Sequence, residues 1–294
     1  MATLAETRRE AADVQVGRPR RPIPWRTLIS ILILAFGAVL MIAPFMWIIQ
    51  AAFGRTAEAY VLPPRWIPQN PTVENFQSVF DQVPYAQFMF NSFKLAVIVT
   101  IGQLITCSMA AFAFARLRFP GKNILFMILI SALMIPGQVT LVPLFILMRQ
   151  LGLYNTHTAL ILPALINPFG VFLLRQYFLT IPSELEDAAR VDGANVFTIY
   201  WRIVLPLSGP ILTTLAILTF VSMWNSYFMP LIMINKPELQ VLTVGLTLLQ
   251  GQYGAGALGP IAAALAMAIV PVLIIFLLLQ KYIIRSVVLT GLKS

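Results

Sequence analysis

Long apolar runs broken by short charged stretches set the pattern of this chain. Thr27 to Ile49 is 23 residues without a charge, Leu95 to Ala115 is 21, and Asn123 to Met148 is 26. Thr158 to Leu174 is 17, and extends upstream toward Tyr154 through uncharged residues and His157. Ile203 to Asn235 is 33, with Gly209-Pro210 breaking its start, and Leu239 to Gln280 is 42, split by a Gly-rich stretch from Gly251 to Gly259. About 20 helical residues cross the hydrocarbon of a bilayer. Helices suit that setting because each satisfies its own backbone polar groups. The pattern predicts an all-α, polytopic membrane protein with six transmembrane helices, near 27–49, 92–115, 124–148, 156–177, 210–233 and 261–283. Around 240–250, with Gly245 and Gly251, a loop with some helix is expected in place of a seventh span.

Composition supports the same class. Of 294 residues, 59% are hydrophobic and 11% charged, against roughly 25% charged in soluble domains. Cys107 is the single cysteine, so no disulfide forms within the chain. The net charge of +9 does not indicate nucleic acid, because the basic residues flank apolar runs and do not share one folded face. With the N-terminus inside, 15 of the 20 Lys and Arg fall on the inner side. That is a positive-inside distribution placing both termini in the cytoplasm. Residues 1–26 are polar and Arg-rich and read as a cytoplasmic tail preceding a permease domain over 27–294. The first run is too long for a cleaved signal h-region and is expected to stay as an anchor.

One inner segment, residues 178–207, is far longer than a linker requires. Ser183 with Glu186 three residues on reads as a capping box, and Glu186 with Arg190 as an i, i+4 pair. Gly193 supplies a C-terminal stop, predicting a helix over about 184–192. Phe197, Tyr200, Trp201 and Val204 share one helical face in a second helix ended by Pro206 and Pro210. The small pair Ala188-Ala189 lets another surface approach the first helix closely. Docking in a cleft and lying on lipid headgroups are both open at this point.

The motif Asp187-Ala188-Ala189, Gly193, Ile203-Val204-Leu205-Pro206 has the spacing of the cytoplasmic Glu-Ala-Ala signature of bacterial ABC importer permeases. Asp187 replaces the usual Glu. Asp192-Gly193-Ala194, Asn91-Ser92, Arg118-Phe119-Pro120-Gly121-Lys122 and Trp224-Asn225 further resemble the MalG-type permeases of carbohydrate importers. The resemblance spans about residues 25–294. It implies a type I ABC importer permease fold in a bacterial cytoplasmic membrane. It also implies a coupling role for Glu186, Asp187, Ala188, Ala189, Asp192, Gly193, Ile203, Leu205 and Pro206. The partners it implies are a second homologous permease, an ATPase dimer and an extracytoplasmic sugar-binding protein. No cofactor is expected in this chain, since ATP and Mg would be bound by the ATPase. In that scheme ATP-driven closure of the ATPase moves the docked helices, and the spans swing between inward- and outward-open states.

The remaining residues fit a transport subunit. No G-x-x-x-x-G-K-[ST] occurs. The spans hold no acidic residue, unlike most ion-coupled transporters, and no nucleophile–base or metal set assembles. Asn225, Trp224, Tyr227, Asn167 and Gln138 are candidate pathway residues for a neutral sugar, with interhelical hydrogen bonding the competing reading. Breaks at Pro136, Pro143, Pro163 and Pro168 are read equally as substrate-site openings or packing kinks. The rival functions are an importer permease for glycerol phosphate, polyamine or peptide, and an autonomous secondary transporter.

Overall fold

The computed structural model describes residues 25–55, 66–253 and 258–291, the side chains of 252, 253 and 281–291 excepted. The 1–26 tail prediction therefore lies almost wholly outside the described residues. The chain divides into two compact units, residues 1–47 and 48–294. All described secondary structure is helical.

The first unit contributes most of α1 (Trp25–Phe53), an unbroken apolar helix with Pro44 inside it. In the second unit the elements follow in order. They are α2 (Glu74–Gln82), α3 (Tyr85–Arg116), α4 (Lys122–Ser131), α5 (Gly137–Gln150), α6 (Thr158–Ala164) and α7 (Pro168–Phe178). After them come α8 (Glu184–Val191), α9 (Val196–Ile199), α10 (Gly209–Trp224), α11 (Phe228–Met233), α12 (Leu242–Tyr253) and α13 (Leu258–Gly291). Four described helices are long and apolar enough to cross a membrane, and two bent pairs bring the number to six.

Two of the proline positions expected to interrupt spans, Pro136 and Pro168, stand at breaks. The third span turns by 103° between α4, with its 3₁₀ extension to Met134, and α5. Ile135 is extended (φ −91°, ψ 116°) because the ring of Pro136 crowds the helical conformation of the residue before it. The predicted 210–233 span ends at Trp224. Asn225 leaves the helical conformation (φ −89°, ψ 5°), and its backbone N–H and side-chain amide both donate to the Val221 carbonyl. A short α11 follows after residue 227. The fourth span is interrupted between Ala164 and Pro168. Residues 242–253 form a full helix, α12, where a loop with some helix was expected, though 12 residues are too few to cross.

Gly245, which the sequence suggests weakens that helix, is what seats it. A Cβ there would lie 2.2 Å from Phe88, a ring 1% exposed in the core. Three apolar clusters hold the second unit. One joins Val79, Phe88, Trp224, Leu242 and Ala263. A second joins Leu95, Met148, Leu160, Met233 and Val241. The third, beside the 178–207 segment, joins Ala111, Phe112, Leu174, Phe178, Tyr200 and Leu215. α3 contributes to all three.

Candidate functional site

The 178–207 segment folds as a helix with one buried anchor and an exposed face. Ser183 begins α8 by accepting the Glu186 and Asp187 backbone N–H groups through its own carbonyl. Its hydroxyl makes no cap, so the predicted capping box does not form. Glu186 instead turns inward and is 3% exposed. Its Oε1 lies 2.8 Å from Nε of Arg116, the last residue of α3. This is a close ion contact without the alignment of a hydrogen bond. A buried carboxylate is held by an opposite charge more firmly than by an exposed helix end. The Arg116 Nη2 donates to the Phe178 carbonyl at 2.7 Å and to the Ile181 carbonyl. One guanidinium therefore joins the ends of α3 and α7 to α8. Glu186, one of the expected coupling residues, thus faces inward and not onto the exposed side of α8.

The predicted Glu186–Arg190 pair is present but long, at 3.8 Å, and Arg190 also meets Asp187 at 3.3 Å. Gly193 takes φ +83°, the left-handed conformation that glycine adopts without a Cβ penalty. Its N–H donates to Arg190 and that of Ala194 to Ala189, closing α8 with a Schellman motif. Leu185, Asp187, Ala188, Val191, Asp192 and Phe197 are exposed, and Val191 is 88% so. Ala189 is half-buried against the core. Of the two alanines, Ala188 therefore lies on the open face.

The second helix departs from its predicted face. Tyr200–Val204 is a π-turn. Its wider turn leaves Tyr200 and Val204 buried and Phe197 and Trp201 exposed. The Tyr200 hydroxyl meets the Ser108 hydroxyl of α3 at 2.7 Å. Ile203 and Leu205 are half-buried, and Pro206 is exposed.

Further along α3, Gln103 organises a polar knot. Its Oε1 accepts from Asn167 Nδ2 at 2.9 Å and Thr219 Oγ1 at 2.8 Å. Its Nε2 donates to the Ala164 carbonyl at 2.6 Å, and Thr106 donates to the Leu165 carbonyl at 2.6 Å. The carbonyls freed by the break between α6 and α7 are thus satisfied from α3, as packed membrane helices require.

The five pathway candidates do not converge. Asn167 lies in this knot and caps α7 by accepting from the Gly170 N–H. The Asn225 amide is engaged with Val221. Gln138 is exposed in the first turn of α5, and Tyr227 is half-buried against Phe228. Trp224 is buried and stacks on Phe220 in the wall of an apolar cavity of about 970 Å³. That cavity, between α2, α3, α10 and α13, is lined by none of the other four. Arg116 and Ser108 carry no spacing signal, and the spacing of Tyr200 marks a helical face without its Ser108 partner. Arg116 enters the sequence reading only as an orientation charge.

At the far end of α3, Asn91 donates to the Glu238 and Gln240 carbonyls at 2.9 Å, and Ser92 accepts from the Leu242 N–H. The His157 imidazole Nε2 lies 2.8 Å from the Leu239 carbonyl. Burial holds this imidazole below its ordinary range, the carbonyl opposes that, and Lys94 adds to it. Asn155, at φ 64°, accepts the Asn235 and Lys236 N–H groups on its Oδ1. The loop after α11 is therefore sewn to α3 and to the start of α6.

Comparison with known proteins places this architecture. The family described as "Binding-protein-dependent transport system inner membrane component" matches residues 86–289. The arabinooligosaccharides transport system permease protein AraQ of Halalkalibacterium halodurans is 36% identical over 263 residues, covering 88% of this chain and 94% of that protein. The sulfoquinovosyl glycerol transport system permease protein SmoH of Agrobacterium fabrum is 36% identical, covering 85% and 88%. The sn-glycerol-3-phosphate transport system permease protein UgpE of Escherichia coli is 30% identical, covering 90% and 97%. In fold, the chain is similar to a bacterial ABC transporter involved in the import of the acidic polysaccharide alginate. There the TM-score is 0.77 at 24% identity, covering 87% of this chain and 95% of that one. With the family matched across most of its length, and with its helical spans, this chain belongs to the inner-membrane components of binding-protein-dependent transport systems and is a permease subunit, not an enzyme.

Proposed function

We propose that this permease forms half of the pathway by which a sugar or oligosaccharide enters the cell. It works with a second homologous permease, an ATPase dimer that binds ATP and Mg, and an extracytoplasmic sugar-binding protein. Both termini lie in the cytoplasm, and α8 docks on the ATPase. The observation that carries the docking role is the division of α8. Glu186 anchors it inward, while Ala188 and Val191, with Phe197 of α9 after the Gly193 stop, stand exposed. Small and apolar residues on a fixed, exposed helix suit seating in a protein groove. The carbohydrate class is supported by the names of relatives that transport arabinooligosaccharides and sulfoquinovosyl glycerol.

Affinity purification from native membranes tests the docking role. Wild type retains an ATPase subunit. Ala188→Glu and Val191→Glu, which charge the open face without touching the core, lose it while inserting normally. Retention by both variants, or no ATPase with wild type, refutes docking through α8.

A further inference from the structure

We infer that Arg116 is a positioning residue whose ion pair with Glu186 makes α8 and α3 move as one body. The inference rests on α8 being the ATPase-facing helix and adds how its motion enters the membrane.

Glu186 is the one buried residue of α8. The other acids of the helix, Glu184 and Asp187, are exposed, so its inward contact is not a general feature of the segment. Arg116 faces it from the last turn of a 32-residue helix and is itself 12% exposed. The guanidinium is planar and rigid. With Nε on Glu186 and Nη2 on the Phe178 and Ile181 carbonyls, it is fixed in orientation by three elements. Beyond this joint, the apolar contacts of α8 come from Ala189, with Ile181 before it and Ala194 after it. Such contacts resist separation but permit sliding, because dispersion is not directional. A buried ion pair adds little net stability over apolar packing but is specific in geometry. It therefore serves as a joint better than as a staple.

The joint leads somewhere. α3 bonds to Tyr200 through Ser108, to the α6–α7 break and Thr219 of α10 through Gln103, and to the 238–242 stretch through Asn91 and Ser92. A displacement of α8 carried at Arg116 reaches Tyr200, the α6–α7 break, α10 and the 238–242 stretch through one helix.

The test is a pair of spin labels in the assembled complex, with Cys107→Ala and cysteine-free partner subunits. One label replaces Glu184, exposed in the first turn of α8 and apart from Ala188 and Val191, and the other Phe90 near the start of α3, 61% exposed. About 40 Å of helix separates Phe90 from Arg116, within range of pulsed dipolar spectroscopy. The distance is expected to stay single and narrow in both the nucleotide-free and the ATP–vanadate-trapped complex. Glu186→Gln, which removes the charge and keeps the shape, broadens the distribution about twofold or splits it between states. Glu186→Asp restores the narrow distribution, and Arg116→Lys, which keeps the charge but loses the fork, lies between.

A wild-type distance that changes between the two states, or a Glu186→Gln distribution as narrow as wild type, overturns the joint. Failure of Glu186→Gln to assemble also overturns it, making the pair a folding element. Absence of ATPase from the wild-type complex is a separate result, which defeats the docking reading beneath it.

Discussion

Replacing Gln103 with leucine removes three hydrogen bonds that converge on one side chain 7% exposed to solvent. Its Oε1 loses Asn167 and Thr219, and the Ala164 carbonyl loses its donor. Interhelical side-chain bonds in membrane proteins average about 0.6 kcal/mol. Three come to roughly 2 kcal/mol, with the leucine recovering none of it at a site lined by amide and carbonyl groups. For a domain of this size, that lowers the unfolding midpoint by about 4–8 °C. The assay is heat challenge of the detergent-solubilised protein, followed by size-exclusion chromatography of the survivors. A double-mutant cycle sharpens it. Thr219→Val alone costs about 0.6 kcal/mol, and in the Gln103→Leu background it costs nothing further, because its acceptor is gone. A Gln103→Leu midpoint within about 1 °C of wild type, or fully additive effects, refutes the reading of Gln103 as the centre of the knot.

Gly245→Ala places a Cβ 2.2 Å from Phe88 and is expected to cost about 1–3 kcal/mol by overpacking. Gly251→Ala on the same helix meets nothing within 4 Å and leaves the heat-challenge midpoint unchanged or raised. His157, held below its ordinary value of 6.5 chiefly by burial, gives stability a pH dependence of definite sign. The unfolded chain takes up the proton first, so stability present above about pH 6.5 is lost as pH falls through the lowered folded value. Midpoints at about pH 7.5 and about pH 5.5 are expected to differ more in wild type than in His157→Gln.

Hydropathy made the span number legible, because the length of an apolar run is a local property. Prolines made break positions such as Pro136 legible, but not the angle of the bend. A charge-free run reads the same whether straight or turned by 103°, and Pro136 marks only where a turn is possible. The stop at Gly193 was readable because a left-handed residue closing a helix has one strongly preferred side chain. The Ser183–Glu186 cap was misread for the opposite reason. Three-residue spacing is a local signal, whereas the partner that claims Glu186 comes from the end of α3, distant in sequence. The polar residues of the spans divided in the same way. Gln103 and Asn167 could be listed from composition, but only their meeting with Thr219 across three helices assigns them to a structural knot.

Three of the breaks in the spans differ in mechanical character. At Ala164–Asn167 the freed carbonyls are bonded to Gln103 and Thr106, so the two halves of that span are tied to α3 on both sides of the interruption. At Ile135–Pro136 the surrounding side chains are exposed and no described hydrogen bond from α3 reaches them. At 225–227 the described side-chain ties run to Val221 of α10 and to Thr243 of α12, again without α3. Rigid-body motion concentrates backbone change in a few element-terminal residues and leaves tied elements intact. A helix braced at Arg116, Ser108, Gln103 and Asn91 is suited to travel as a unit. The turns at 135–136 and 225–227, which no described hydrogen bond ties to α3, are where the spans have freedom to flex against it.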